Sequence, residues 1–457
     1  MKFLSPNDQM FLVLERRNQP MHVAGLMLVK PPEGESQKFV EDFLELARTH
    51  TTAQAPFNQR LSYKFGVPCW VEDTEFDIES HFFHLSLPKP GRIRELLALV
   101  SKLHSGQMDR AKPLWESYLI DGLEDGRVAI YNRIHHALVD GIAAMRMFQR
   151  AMSENPDERN MLPFWAKAPS KRAPREVTEQ TPMTKMITAL GSVKGQLSTV
   201  PTVVKEIARS VWQSKYDPDY VSVFQAPRTP MNTRISASRR FAAQSWSLDR
   251  IKAAGKRLDI TLNDVVMGMC ASALRKYLEE LGRLPEKPLV SMVPVSLRKD
   301  DSDGGNQVGL VLANLATNES SPAKRLETIH DSIETSKRRF SSMTQSEIMN
   351  YLATIMGING MNILTGIAPQ WQAFNVVVSN VPGPKNRLYF NGAEIEGVYP
   401  VSIVIDGQAL NITLNSYADK LEFGLIACRR SLPSVQRLLT FLEEGLQEIE
   451  NIPLQRS

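Results

Sequence analysis

Apolar residues run almost unbroken from 21 to 29 and stop at Pro31-Pro32, the pattern of a short strand closed by a turn. Residues 36–50 then place Phe39, Phe43, Leu44 and Leu46 at helical spacing. Residues 127–134 read as a strand, and 141–152 as a helix whose apolar side carries Ile142, Met145, Met147 and Phe148. Beyond 152 the texture changes. Pro156, Pro163, Pro169, Pro174 and Pro182 stand among charges over 153–183, which predicts a linker. The stretch 184–215 is amphipathic in parts, with Lys185, Lys194, Lys205, Arg209 and Lys215 against Leu190, Leu197, Val204, Ile207 and Trp212. A second linker, rich in Pro and Tyr, runs through residue 233.

Alternation resumes near Arg240. Residues 241–248 predict a strand, 249–258 a helix, and 262–281 a long helix opening at Asn263-Asp264. A strand over 289–295 is followed by helical stretches at 323–340 and 346–364. Strands are expected over 373–379, 398–405, 409–417 and 421–428, and a closing helix over 434–448. No internal repeat recurs at a fixed period. The pattern is two mixed α/β halves joined by a long crossover.

Length agrees: 457 residues exceed one ordinary core, and about 150 residues per domain predicts two or three units. The 54 basic and 50 acidic residues leave a net charge of +4, too little to argue for nucleic acid, and no zinc-finger spacing is present. Cys69, Cys270 and Cys428 are sparse and far apart, as expected of buried thiols in a reducing compartment. The opening residues turn polar before an apolar segment could form, unlike a signal peptide. The longest apolar run, 265–274, is about half of what a bilayer span needs. A cytoplasmic protein is expected, with membrane contact no more than peripheral, at the inner membrane face or lipid bodies.

Chemistry concentrates at His135-His136-Ala137-Leu138-Val139-Asp140-Gly141, where strand gives way to helix. A histidine near neutrality can accept a proton. Consecutive residues at a strand end point opposite ways, so one of the pair at most can sit over a substrate. Asp140 could orient an imidazole, cap the following helix or hold an arginine. Gly141 lets the backbone approach a ligand or take positive φ. A metal site is disfavoured, because adjacent histidines do not readily share an ion and no third ligand stands at helical spacing. His135 and Asp140 also make the His-x4-Asp spacing of membrane-bound glycerolipid acyltransferases, but the Phe-Pro-Glu-Gly block of that family is missing downstream.

Taken with other motifs, the chain resembles the bacterial wax ester synthase/acyl-CoA:diacylglycerol acyltransferase family, within the superfamily of chloramphenicol acetyltransferase. Those motifs are Leu4-Ser5-Pro6, Pro20-Met21-His22-Val23, Pro113-Leu114-Trp115, Asn263-Asp264, Pro294-Val295-Ser296-Leu297-Arg298 and Ser379-Asn380-Val381-Pro382-Gly383-Pro384. The resemblance implies an α/β fold of two mixed-sheet, chloramphenicol acetyltransferase-like halves joined by a long helical crossover linker. The halves would be 1–155, carrying the histidines, and 236–457, with the linker at 156–235. It implies an enzyme that moves a long-chain acyl group from acyl-CoA to a fatty alcohol or diacylglycerol. His136 would be the general base and Asp140 a structural support. Acyl-CoA is then a substrate, and no cofactor or metal is expected. Peripheral contact with a membrane or lipid-droplet surface would suit such substrates, with 184–215 as its candidate. Pro113-Leu114-Trp115 either packs at a strand start or meets substrate. Asn263 either caps its helix or donates to an oxyanion. The Ser379–Pro384 run is a turn by its own chemistry, with Pro382 presetting φ and Gly383 suited to positive φ. The competing expectation is a catalytically silent acyl-CoA or lipid-droplet binding protein of the same fold.

Overall fold

A computed structural model of the chain describes residues 1–139, 141–168, 225–296, 308–342 and 372–453. The amphipathic stretch 184–215, the helix expected at 346–364 and Asp140 lie outside the described residues.

The first half opens with β1 (Lys2–Phe3), α1 (Pro6–Leu14), β2 (His22–Lys30) and α2 (Ser36–Thr49). A hairpin follows, β3 (Gln59–Lys64) and β4 (Val67–Glu72), then β5 (Phe82–Ser86) and α3 (Ile93–Leu103). Then come β6 (Trp115–Asp121), β7 (Val128–His135) and α4 (Gly141–Gln149). The second half begins with β8 (Arg239–Ser247), α5 (Leu248–Arg257), α6 (Leu262–Glu280) and β9 (Val290–Ser296). It continues through β10 (Val308–Asn314), α7 (Pro322–Ser342), β11 (Val376–Val381) and β12 (Tyr389–Phe390). It ends with β13 (Ala393–Val401), β14 (Leu410–Tyr417), β15 (Lys420–Cys428) and α8 (Arg437–Glu450).

Two six-stranded sheets organise these elements, in the orders β12-β13-β2-β7-β6-β5 and β10-β9-β11-β14-β15-β8. Both are mixed: β5 runs parallel to β6, and β11 parallel to β9 and β14, among antiparallel neighbours. This is the expected α/β class. Every residue of β7 is buried, which explains why its sequence does not alternate. In the second sheet Ile412, Leu414, Phe423 and Leu425 share a core with α6 and α8. The apolar run at 265–274 is the middle of α6, buried on all sides, so its length reflects a core helix.

One strand crosses between the halves. β13 pairs with β2 over Glu394–Val401, although it lies late in the chain. At the crossing a Cβ on Gly424 would come within 1.8 Å of the Pro400 carbonyl oxygen, so only glycine fits there. Leu26, Tyr131, Phe241, Val401 and Ile426 form one core from both sheets. The strand expected over 398–405 is therefore β13, shifted toward its N-terminal side, and the one expected over 373–379 is β11, shifted the other way. A third sheet, β1-β4-β3, packs with α1 around Leu4, Leu12, Leu61, Trp70 and Leu114.

Candidate active site

Strand β7 carries His135 as its last residue, directly opposite His22 of β2. Backbone bonds hold the pair from two sides. The His135 N–H donates to the Leu114 carbonyl at 2.9 Å, and the His136 N–H to the Met21 carbonyl at 2.8 Å. The turn closes where the Leu138 N–H returns to the His135 carbonyl at 2.9 Å. Pleating then sends the rings apart: His135 is fully buried and His136 half-buried.

The buried ring is committed. Its Nδ1 accepts from the Ala137 N–H at 3.1 Å. That assigns the neutral ring's proton to Nε2, which lies 3.5 Å from Glu15 Oε1. Glu15 follows α1 and its side chain is only 1% exposed. Its Oε2 accepts from Arg110 Nε at 3.0 Å and Nη2 at 2.8 Å, and its Oε1 from the Met21 N–H at 3.2 Å. Burial pushes the Glu15 carboxyl up, but His135, Arg110 and the Met21 amide outweigh it and hold the group below the usual carboxylate range. Met21 thus links Glu15 to the His136 backbone. The His136 ring stacks on Phe11 of α1, with centroids 4.1 Å apart.

Other residues singled out in the sequence take varied places. Gly141 begins α4 with open space where a Cβ would stand and without positive φ, so it offers room and not a special turn. Leu114 supplies the carbonyl under His135, and Trp115 donates its indole N–H to the Phe57 carbonyl at 2.7 Å inside an aromatic cluster. Pro113 accepts from the Trp115 N–H at 2.9 Å. The motif supports the histidines by packing.

Asn263 does not cap α6. Thr261 does, accepting from the Asp264 N–H at 3.2 Å, while buried Asp264 closes the capping box and bonds His330 Nδ1 at 2.9 Å. The half-buried Asn263 side chain makes no hydrogen bond among the described residues, which leaves its amide available. Ser379 and Asn380 lie on β11, with Pro382 and Gly383 just beyond. Gly383 is needed for close approach, not for positive φ: a Cβ there would stand 2.1 Å from the Ser416 carbonyl oxygen and 2.5 Å from Asn415 Oδ1.

A small apolar hollow of about 30 Å³ lies beside α4, lined by Met27, Phe43, Ile130, Phe148, Phe164 and Phe390 among others. Phe11, Glu15 and Arg110 were not anticipated. Nothing in their local sequence marks them, because their role comes from α1 folding back over the turn.

The model of the wax ester synthase/diacylglycerol acyltransferase catalytic domain matches residues 4–266, and that of the family's C-terminal domain matches 304–450. The chain belongs to this family. It is an acyltransferase. The chain is 48% identical to the O-acyltransferase WSD of Acinetobacter baylyi over 99% of this chain and 98% of that one. It is 42% identical to a putative diacylglycerol O-acyltransferase of Mycobacterium bovis over 98% and 99% of the two chains. A solved wax ester synthase/diacylglycerol acyltransferase from Marinobacter aquaeolei VT8 superposes with a TM-score of 0.81 at 48% identity, covering 98% of this chain and 99% of that one. The first condensation domain of the calcium-dependent antibiotic synthetase shares the fold, with a TM-score of 0.56 at 13% identity over 98% of this chain and 96% of that one.

Proposed function

We propose that this acyltransferase moves a long-chain fatty acyl group from acyl-CoA to a fatty alcohol, giving a wax ester, or to diacylglycerol, giving triacylglycerol. His136 acts as the general base. It takes the hydroxyl proton as the alcohol oxygen attacks the thioester carbonyl. The tetrahedral intermediate then collapses, the C–S bond breaks, and the CoA thiolate leaves and takes up the proton. The acyl group passes directly between the two substrates, without an acyl-enzyme. Asn263 donates to the oxyanion, and Asp140 keeps the turn in place.

One observation carries this reading: the two histidines divide their work. His135 is fully buried, with Nδ1 on the Ala137 amide and Nε2 facing Glu15, whereas the half-buried His136 ring lies against Phe11. The test is CoA release by purified protein given palmitoyl-CoA with hexadecanol and, separately, with diacylglycerol. Alcohol-dependent release should fall by about 10²–10⁴ in His136→Ala. Release that does not depend on His136, or on an acceptor, overturns the mechanism.

A further inference from the structure

Nine large apolar side chains are exposed among the described residues, and six of them gather on the small third sheet and the helix beside it: Met1, Phe3, Val13, Tyr63, Phe65 and Val67. The extreme case is Phe65, 94% exposed at the tip of the β3–β4 hairpin. Its turn has positive φ at both central residues, 53° at Phe65 and 77° at Gly66. Asn-Gly suits such a turn, whereas a bulky aromatic ring at positive φ is strained. Here an aromatic side chain keeps that unfavourable backbone while touching little of its own protein. The charge next to the tip is basic. Lys64 flanks the tip and Lys2 lies on the neighbouring β1, whereas Arg60 at the far end of the hairpin pairs with Asp73 at 3.6 Å, beside Glu72.

We propose that this hairpin, with the β1 segment beside it, docks the enzyme on an anionic lipid surface. Aromatic and aliphatic side chains flanked by Lys2 and Lys64 match the interfacial layer of a bilayer, where rings enter the headgroup region and lysines meet phosphates. The position suits the chemistry, a link that rests on the reading of His136 given above. The third sheet and α1 share a core with Ala137 and Leu138 of the catalytic turn, and Phe11 of α1 stacks on His136. A hydroxyl-bearing lipid leaving the bilayer there arrives beside the base.

The test is flotation of the full chain with vesicles of phosphatidylcholine alone and of phosphatidylcholine mixed with phosphatidylglycerol. The decisive variant is Phe65→Asn, which removes the ring yet suits the turn, so it should be no less stable in a thermal melt. Wild type should float with the mixed vesicles, and Phe65→Asn should bind about tenfold more weakly. Lys2→Gln with Lys64→Gln should cost about fivefold per lysine and reduce the salt dependence. Turnover of a short water-soluble alcohol should stay unchanged in Phe65→Asn, while turnover of vesicle-borne diacylglycerol falls. Flotation needs no turnover, so it stands or fails apart from the His136 mechanism. Absence of wild-type binding, or equal binding by Phe65→Asn, overturns the proposal. So does a wild-type dimer that Phe65→Asn converts to monomer, since the hairpin would then be a protein interface.

Discussion

Glu15→Gln keeps the shape of the side chain but removes the charge around which the His135 site is built. Wild-type Oε2 takes two bonds from Arg110, and Oε1 faces both the Met21 amide and His135 Nε2. A glutamine has one oxygen. Turned toward Met21 and His135, it presents its NH2 to Arg110; turned the other way, it abandons the turn. Hydrogen bonds to charged groups contribute about 1.5–3 kcal/mol. The Arg110 side chain is 37% exposed, so solvent screening lowers its share. A net loss of about 2 kcal/mol is expected, read by chemical denaturation at neutral pH. The same change loosens Met21, whose carbonyl holds the His136 N–H, and kcat for CoA release should fall about tenfold to a hundredfold with KM little altered. The pH dependence gives a second readout. The folded carboxyl lies below its ordinary 4.5, so the folded state releases this proton more readily than the unfolded one. Its contribution is complete above that value and fades as pH falls below it. The stability gap between wild type and Glu15→Gln should therefore shrink on acidification. Equal stability and equal kcat at neutral pH would refute the reasoning.

Glu422 should show the opposite slope: burial pushes its carboxyl up to about 7, against the Ser245 hydrogen bond, Lys420 and Tyr399. Stability should then fall as pH rises from 4.5 to about 7, by about 3 kcal/mol, and Glu422→Gln should abolish that fall in denaturation curves. Asn263→Ala should lower kcat about 10²–10³-fold with little change in melting temperature, since Thr261 and Asp264 do the capping; unchanged kcat would remove Asn263 from the chemistry. Gly383→Ala should cost about 2–3 kcal/mol in denaturation, because the added methyl meets the Ser416 backbone. A wild-type melt in that variant would mean the turn can shift.

The histidine turn was legible because two periodicities meet there. Strand β7 ends on His135 and α4 begins at Gly141, with His136 in the gap between them. The choice of His136 for the chemistry followed from family resemblance, while pleating alone left the pair undecided. The structure adds that His135 is buried, with Nδ1 on the Ala137 amide and Nε2 3.5 Å from Glu15. Glu15 itself was illegible: it lies 120 residues before His135, and a glutamate ending a short helix is ordinary on any surface. The amphipathic helix α3 and strand β6 also went unpredicted, although Leu96 and Val100 stand at helical spacing. The hairpin at 59–72 is too short and too polar for its period to stand out. Asn263 shows the converse, a residue read as a possible cap whose neighbours do the capping.

What ties these residues together is α1 with its C-cap Glu15, whose side chains face four ways. Leu12 enters the core with Trp70 and Leu114, Phe11 lies against His136, and Val13 is exposed beside the small sheet. Glu15 at its end accepts the Met21 amide and faces His135. A shift of α1 along its axis cannot move one of these contacts alone. Packing of β1, β3 and β4 on this helix therefore bears on the histidine pair. That is why removal of a Glu15 oxygen and removal of the Phe65 ring should separate cleanly. The first acts inside the rigid part of the path and lowers kcat on every acceptor, whereas the second acts at its outer end and lowers turnover only when the acceptor comes from a lipid surface.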